Sequence, residues 1–559
     1  MGGAAQGGAG LRVTFSRVAR SALHSLLLAA VALFFLNFNL LGTATPSKRF
    51  SQDLVYAWFG DEGWLYPRPG AAGSRHEPAP PRVVVVMVDE RSLALRDARW
   101  PVPLQFHAQF LAELEVLRPR AIMLDFLLID ADPPQAVCEL LSVGARLRSD
   151  GIPLYLAVTH SADLAPLDAA GCHDTAGRPL RAAQVFTPVS VEKQVDGSDF
   201  VGRRYPFEQR AEGTAPGSGL ASAAVRIYCE YTRTPAPCLA RLTRTPEIDA
   251  GFELAWTPAG DPFNQRWSHV SCHESISPVR AILNQPALPR ESACPPVATL
   301  FAAALLSPEQ DPALGAGNED LFSLADGAFL MVGGNFRGSG DLFTTPLHTL
   351  LPGIYYHAVA LENLLAFRGE PKIRKQYRSP KLAFSGYDLL VLWILAAIFQ
   401  WRQRLVQQVH PADRSPFQLS EEARNRIEPF IARCPTPVWI LAAAALLLLL
   451  ATFGALQLIA VAGMVIVVVG VELRVAPRAE NYKRFIGLVL YLAGMAASLA
   501  VIVLAIWIGY RWLRLPPGDW LGYFSFVAFG FFVAHTAIME FGRRVEELNV
   551  ARKAGRGTA

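Results

Sequence analysis

The sequence predicts an α/β domain with a mostly parallel sheet, cross-linked by disulfide bonds and attached to an α-helical transmembrane bundle of about six helices. Hydrophobic residues make up 52% of the 559 residues and charged residues only 18%, which is typical of a membrane protein. The apolar segments flank one long polar region, residues 43–381, which contains six of the seven cysteines. The net charge of +4 is small and dispersed, so nucleic-acid binding is not expected.

The first predicted transmembrane helix covers residues 21–42, a length that fits the roughly 30 Å hydrocarbon layer of a bilayer. Arg12, Arg17 and Arg20 precede this helix and favour a cytoplasmic N-terminus for residues 1–20. A cleaved signal peptide that ends near Ala44 is the competing interpretation. With a membrane helix, residues 43–381 are predicted to form a domain on the exported side of the membrane.

The C-terminal part of the sequence is again apolar. The predicted spans are residues 382–401, a helical hairpin at 438–473, residues 485–511 and residues 521–541. The segment 438–473 would extend roughly 54 Å as one helix, too long for a single ordinary span, so it is divided into two. The arginine-rich loop 402–437, with one short helix, and the tail 542–559 then face the cytoplasm. Both are shorter than an autonomous domain of about 50 residues, so we expect no enzyme and no cofactor.

The cysteines of the polar region predict a disulfide framework. They are Cys138, Cys172, Cys229, Cys238, Cys272 and Cys294. An even number in an exported region fits disulfide bonding, although six cysteines allow fifteen pairings. The favoured pairs are the local ones, Cys229 with Cys238 and Cys272 with Cys294, which leaves Cys138 with Cys172. None of the cysteines is spaced as CxxC, so a zinc site is not predicted.

The first half of this region has the pattern of a βαβ unit. Val83 to Val88 form a β-branched run with one methionine, as expected of a parallel strand covered on both faces. A helix follows Trp100 and Pro101, and its inner side is predicted to carry Ala108, Leu111, Leu114 and Leu117. A second strand is predicted at residues 121–129, parallel to the first and adjacent to it. Further strands are predicted at residues 153–159 and 328–332.

Acidic residues follow the predicted strands and are the candidate ligand-binding residues. They are Asp89, Glu90, Asp130 and Asp132. In open α/β sheets, ligands bind at the carboxyl ends of strands, so a hard cation or a polar ligand is one interpretation. The alternative is that these residues cap helices and fix loops. Asp125 is a further candidate, because a carboxyl inside an apolar strand needs a partner if it is buried.

Two other features are predicted to be structural. His357 begins the last helix of the domain and is expected to be a packed histidine rather than a metal ligand. Gly333, Gly334 and Gly338 do not form a dinucleotide-binding fingerprint, and a turn after a strand is the simpler interpretation. No metal site is predicted.

Two segments of the region resemble a known family. VVVVMVDERSL at Val83 and WPVPLQFHAQF at Trp100 are similar to the opening of the CHASE2 domain, an extracytoplasmic sensory module of bacterial receptors. DLFTTPLHTLLPGIYYHAVALENLL, from Asp341 to Leu365, is similar to its closing segment. The matching positions that the resemblance marks as coupling or structural residues are Trp100, Pro101, Asp341, Pro352, Gly353 and His357, and Thr345, Pro346, Ala358 and Asn363 also match.

The resemblance implies that residues 43–381 are the periplasmic domain of a bacterial inner-membrane protein. Together with the topology, it leaves two functional hypotheses. The first is a sensory component that lacks its own output domain and acts through partner proteins, since family members commonly continue into three helices and an output module. The second is a structural anchor or scaffold subunit of a larger envelope complex. Both imply other periplasmic or membrane proteins, contact with membrane lipid, and a homo-oligomer or hetero-complex. A sensor needs two conformations that differ in affinity for a ligand, whereas a scaffold needs only fixed interfaces.

Overall fold

The computed structural model describes part of the chain. The described residues are 82–128, 133–195, 200–209, 219–233, 235–243, 251–257, 295–306, 318–336, 341–347, 350–370, 501–510 and 512, with single positions at 49–56, 261–264 and 390–397. The chain separates into two compact units. One unit, residues 53–374 with 514–516, is called the α/β domain below.

The strands of the α/β domain are numbered in chain order. They are β1 Val83–Asp89, β2 Ala121–Leu124, β3 Leu154–Val158, β4 Phe186–Ser190, β5 Arg204–Pro206, β6 Glu208–Gln209, β7 Leu220–Ala221, β8 Gly251–Glu253, β9 Ala298–Phe301, β10 Phe329–Asn335, β11 Leu342–Thr344 and β12 Leu350–Pro352.

The helices are numbered in the same way. They are α1 Glu90–Ala94, α2 Leu104–Glu115, α3 Pro134–Ser149, α4 Ala165–Asp168, α5 Ala182–Val185, α6 Ala223–Tyr231, α7 Pro235–Thr243, α8 Ala302–Leu306, α9 Asn318–Ala325 and α10 Ile354–Ala366.

A six-stranded sheet forms the centre of the domain, and every pairing in it is parallel. Its strand order is β4, β3, β2, β10, β1, β9. Residues 83–88 of β1 are buried, as the apolar run predicts for a strand covered on both faces. The prediction of a mostly parallel α/β fold is therefore confirmed.

The predicted adjacency of the first two strands is wrong. β10 lies between β1 and β2 and pairs with both, from Phe329 to Asn335 on one side and Phe329 to Val332 on the other. The two strands are parallel, but a strand from about two hundred residues later in the chain fills the space between them. Local sequence pattern carries no information on such a long-range insertion.

Helices cover both faces of the sheet. On one face of the sheet, α2 and α3 pack on side chains such as Val84 and Val86 of β1. Along the strand these side chains alternate with those that point to the other face. The predicted inner residues Ala108, Leu111, Leu114 and Leu117 are all buried there. On the opposite face, α6 and α10 pack on Val83, Val85 and Met87. Every described side chain from Ile354 to Leu365 of α10 is buried, so this helix forms the centre of its layer.

The other predicted strands are present with different lengths. β3 agrees with the predicted strand 153–159, and β10 contains most of 328–332. β2 ends at Leu124, so Asp125 follows the strand instead of lying inside it. The Asp125 amide still donates a hydrogen bond to the carbonyl of Val332 at 2.8 Å, after which the chain leaves the sheet.

Two of the three favoured disulfides are present. Cys138 of α3 is bonded to Cys172, and Cys229 of α6 is bonded to Cys238 of α7. Cys272 and Cys294 lie outside the described residues. The first bond lies on the α3 face of the sheet and the second on the α6 face, so both layers carry a covalent link.

Among the residues that the structure describes, no helix is both long and apolar enough to cross a bilayer. The predicted spans 21–42, 438–473 and 521–541 lie outside those residues, and of the span 485–511 only residues 501–510 are described, as helix. The six-span topology stays a prediction.

Gly333 and Gly334 lie within β10 and not in a turn after it. A Cβ built on Gly333 would lie 2.5 Å from the Cβ of Ile354, at the start of α10. The missing side chain lets α10 cross the strand at close range, which explains the glycine where a turn was predicted. Gly338 lies outside the described residues.

We expect Gly333→Ala to lower the free energy of unfolding by about 1–3 kcal/mol. The added β-carbon would overlap Ile354, so that either β10 or α10 would have to move. Urea unfolding of the detergent-solubilised chain, followed by tryptophan fluorescence, measures this loss. Asn335→Ala, at the exposed end of the same strand, is the control and should stay near the wild-type value. Equal stability of the alanine variant at 333 and the wild type would contradict the close helix packing.

Candidate functional site

The carboxylate of Asp89 caps helix α1. The Ser92 amide donates a hydrogen bond to Asp89 Oδ1 at 2.8 Å, and the Asp89 amide donates to Ser92 Oγ at 3.3 Å. This reciprocal pair is a capping box, which satisfies backbone donors at the start of a helix. Glu90 is exposed in the first turn of the same helix. Asp130 and Asp132 lie outside the described residues, so their predicted ligand-binding role is neither supported nor opposed.

A second group of polar residues lies beyond the carboxyl ends of β2 and β4. It consists of Asp125, Lys193, Tyr205, Asp341 and His357, and is called the carboxyl-edge cluster below. Asp125 directly follows β2 and Lys193 lies shortly after β4, whereas Asp341 directly precedes β11. Tyr205 belongs to β5 and His357 to the first turn of α10. Five separate parts of the chain therefore bring ionisable or hydrogen-bonding groups to one edge of the sheet.

Lys193 and Asp341 form an ion pair at the start of α10. The backbone carbonyl of Asp341 also accepts a hydrogen bond from the Gly353 amide at 2.7 Å. A Cβ on Gly353 would lie 2.5 Å from Asp341 Oδ2 and would overlap Lys193 Nζ. The glycine that precedes α10 is thus required because the ion pair occupies the space of a side chain.

Asp125 is a carboxyl group that retains its proton at neutral pH. Burial, the largest cause, and the negative charge of Asp341 raise the pKa of Asp125 to about 8, while the positive charge of Lys193 acts in the opposite direction. The group is only partly buried, and its side chain has no hydrogen bond to another described residue. A cation that reached Asp125 would therefore have to displace a proton.

His357 is fully buried and neutral. Burial, followed by the positive charge of Lys193, lowers the pKa of His357 to about 3. Its Nδ1 lies 2.8 Å from the hydroxyl of Tyr205, which also accepts a hydrogen bond from the Ala224 amide at 3.1 Å. The Tyr205 hydroxyl is assigned as the donor to Nδ1, because it then both donates one hydrogen bond and accepts another. In this neutral tautomer, His357 carries its own proton on Nε2.

The Nε2 atom of His357 has no hydrogen-bond partner among the residues that the structure describes. Leaving a buried donor without an acceptor costs about 1–3 kcal/mol. His357 is therefore packed, as predicted, and in addition carries one unsatisfied polar atom.

Asn363 holds the C-terminal half of α10 against the segment that follows β8. Its Oδ1 accepts a hydrogen bond from the Ala255 amide at 2.8 Å, and its Nδ2 donates to the Ala255 carbonyl at 3.1 Å. Nδ2 also donates to the Val359 carbonyl at 2.8 Å. The side chain thus replaces a strand partner for the backbone amide and carbonyl of one buried residue.

The remaining motif residues also lie at or near this edge. Trp100 is half exposed, its ring centroid is 5.2 Å from that of Phe336, which follows β10, and a cis peptide bond joins it to Pro101. Pro352 ends β12 and pairs with Leu342 of β11. The sequence motifs that are far apart along the chain therefore meet around the end of β10 and the start of α10.

Sequence reasoning missed Lys193 and Tyr205. Both lie in the part of the chain between Cys138 and Cys294 in which no motif was recognised. Lys193 could have been found as a charged residue just after the buried strand β4, by the same rule that selected Asp89. Tyr205 gives no such signal, because its partner His357 is 152 residues away.

The sequence matches the CHASE2 domain family over residues 26–399, which includes both motifs and the whole carboxyl-edge cluster. No curated protein and no solved structure matches the sequence. The match spans more than half of the chain, and the chain therefore belongs to the CHASE2 domain family, a family of extracellular sensory domains.

Proposed function

We propose that this chain is an inner-membrane sensor that binds its signal at the carboxyl-edge cluster and transmits it through helix α10. The observation that carries the proposal is the position of the Lys193–Asp341 pair, which lies against Gly353 at the start of that helix. A ligand that changes this pair would change the packing at the first turn of α10. Membership of an extracellular sensory family supports the same direction of signalling.

The chemistry of the cluster favours a small polar or cationic ligand. With Asp125 protonated, the charges of Lys193 and Asp341 balance each other. A cation that displaces the proton of Asp125 would lie beside Lys193 and Asp341. Its positive charge would repel Lys193 and attract Asp341, which would weaken the existing ion pair. A ligand oxygen could also accept the unsatisfied proton of His357 Nε2.

Helix α10 is suited to carry the change across the domain. It has 13 residues, which corresponds to about 20 Å along its axis. Just beyond its end, Gly369 packs on Tyr228, in the second half of α6. Helix α10 therefore runs from the carboxyl-edge cluster to the C-terminal half of α6. The chain then continues to residues 371–381, which are outside the described part, and to the predicted span 382–401, of which only single positions within 390–397 are described.

We further propose that the signal is read by other proteins. The predicted cytoplasmic loop 402–437, between two predicted spans, is too short for an autonomous catalytic domain. A conformational change in α10 could be passed on by a periplasmic or membrane partner, or by a second copy of the chain, that responds to it. The predicted periplasmic location and the predicted topology are part of this proposal.

A ligand screen on the purified full-length chain tests the proposal. Thermal unfolding is measured with small polar compounds, organic amines and divalent metal salts, for the wild type and for Asp125→Asn and Lys193→Met. A ligand at about one hundred times its Kd adds about 2.7 kcal/mol of stability. We expect at least one compound to stabilise the wild type and to lose its effect in both variants.

The control is Asp326→Asn, at the opposite end of the sheet. Asp326 precedes β10, is about half exposed and pairs with Arg118 at 3.4 Å. This variant should respond to the compound as the wild type does. An equal response of all variants would place the site elsewhere, and a chain that no compound stabilises would favour the scaffold hypothesis.

A further inference from the structure

The segment that follows the first predicted membrane span is bound to the α/β domain through a buried ion pair. Asp53 Oδ1 and Oδ2 lie 3.0 Å and 2.8 Å from Nε and Nη2 of Arg203, in the two-pronged geometry that arginine and carboxylate favour. The two side chains, of Arg203 and Asp53, are only 7% and 13% exposed. Val55 and Tyr56 are buried beside them, at 1% exposure each.

Arg203 directly precedes β5, and the next two residues of that strand contact α10. The carbonyl of Arg204 accepts a hydrogen bond from the Tyr356 hydroxyl, and Tyr205 is bonded to His357. Three consecutive residues thus contact the N-terminal segment, the first turn of α10 and the carboxyl-edge cluster. Aromatic packing reinforces the contact, since the ring centroids of Tyr205 and Tyr356 are 5.0 Å apart.

The strand partner of β5 is also attached to α10, one to two turns further along the helix. The Leu254 amide donates a hydrogen bond to the Arg203 carbonyl at 2.8 Å, and the neighbouring Ala255 is held by Asn363. Trp256 Nε1 donates to the Gly202 carbonyl at 3.1 Å. The antiparallel pair of β5 and β8, with its flanking residues, is therefore attached to α10 at two levels.

We infer that Arg203 joins the N-terminal segment of the domain to α10, so that the β5–β8 pair moves as one body with both connections to the predicted membrane spans. A displacement of α10 would then change the position of residues 53–56, and a displacement of those residues would change α10. Such a body provides contiguous, well-packed contacts between the two connections. Its use in signalling rests on the proposed function, but the linkage itself does not require a ligand.

Hydrogen exchange of the full-length chain in detergent, measured by mass spectrometry without any ligand, tests the linkage. Asp53→Asn removes the charge that holds Arg203. We expect exchange in α10 to become at least about tenfold faster, while helix α3 on the other face of the sheet keeps its wild-type protection. Arg203→Lys keeps the charge without the two-pronged geometry and should give an intermediate rate in α10.

The matched control is Glu115→Gln, which neutralises a carboxylate bound by Arg146 Nε and Nη2 at 3.1 Å and 2.8 Å on the opposite face. It should leave exchange in α10 unchanged. The inference is overturned if α10 keeps its wild-type exchange in Asp53→Asn, or if α3 and α10 accelerate equally, since the latter is global loss of stability. A ligand screen without a hit would not change the hydrogen-exchange results. The proposed ligand site and the proposed linkage through Arg203 are therefore tested independently.

Discussion

Replacing Asn363 with leucine is expected to lower the free energy of unfolding of the α/β domain by about 2–5 kcal/mol, one of the largest effects of any single change in α10. Leucine has a similar volume, so the main change is chemical. The amide and the carbonyl of Ala255 lose their partners in a place that water does not reach, because Ala255 and Asn363 are fully buried. Each such orphaned group costs about 1–3 kcal/mol.

Urea unfolding of the detergent-solubilised chain measures this loss, with Asn335→Leu as the matched control. Asn335 ends β10 and is exposed, so the same substitution there should change stability by less than about 0.5 kcal/mol. Asn363→Asp keeps the oxygen acceptor and should fall between the leucine variant and the wild type. Similar stability of the two leucine variants would show that Asn363 does not hold the segment after β8.

Replacing Asp125 with asparagine is expected to stabilise the chain at alkaline pH. An unfolded aspartate ionises near pH 3.9, whereas folded Asp125 keeps its proton up to about 8. Between these values the folded state binds more protons, so the wild type loses stability as the pH rises through this window. The variant has no such loss, and at about pH 8 it should exceed the wild type by on the order of 2–4 kcal/mol, allowing for partial solvent access.

The pH range of this comparison matters because two buried histidines act in the opposite direction. Burial lowers the pKa of His107 to about 4 and that of His357 to about 3, so their contribution rises with pH and is complete above about pH 6.5. Urea midpoints should therefore be compared from about pH 6.5 to 9, with Asp326→Asn as the control. Parallel curves for the wild type and Asp125→Asn would mean that Asp125 is already ionised in the folded chain.

The sequence was sufficient to predict the local parts of the fold. The β-branched run of β1 predicts a strand buried on both faces, and the apolar period of α2 predicts a helix buried on one face. Each pattern lies within a single element, and both are present in the structure. The insertion of β10 between β1 and β2 could not be predicted, because it depends on a pairing between distant segments. Gly333 was misinterpreted for the same reason, since its close neighbour Ile354 belongs to another element.

The candidate site was predictable only in outline. Asp125 was a candidate because a carboxyl inside an apolar strand needs a partner, and it lies in the carboxyl-edge cluster, just after β2. Four other candidates came from the rule that ligands bind at the carboxyl ends of strands. Asp89 follows the same rule, yet the structure uses its carboxylate as a helix cap. Tyr205 joins the cluster through a strand pair outside the main sheet. Which carboxylate remains available to a ligand depends on such tertiary contacts, which local sequence does not specify.

If the charge state of the carboxyl-edge cluster changes helix α10, the proton of Asp125 is the simplest probe of this effect. The direct measurement is hydrogen exchange of α10 in the full-length chain at about pH 6 and about pH 9, corrected for the intrinsic rate of exchange at each pH. We predict that the wild type loses protection in α10 at the higher pH, while Asp125→Asn keeps the same protection at both. Equal protection of α10 at both pH values in the wild type would mean that ionisation of Asp125 does not change this helix.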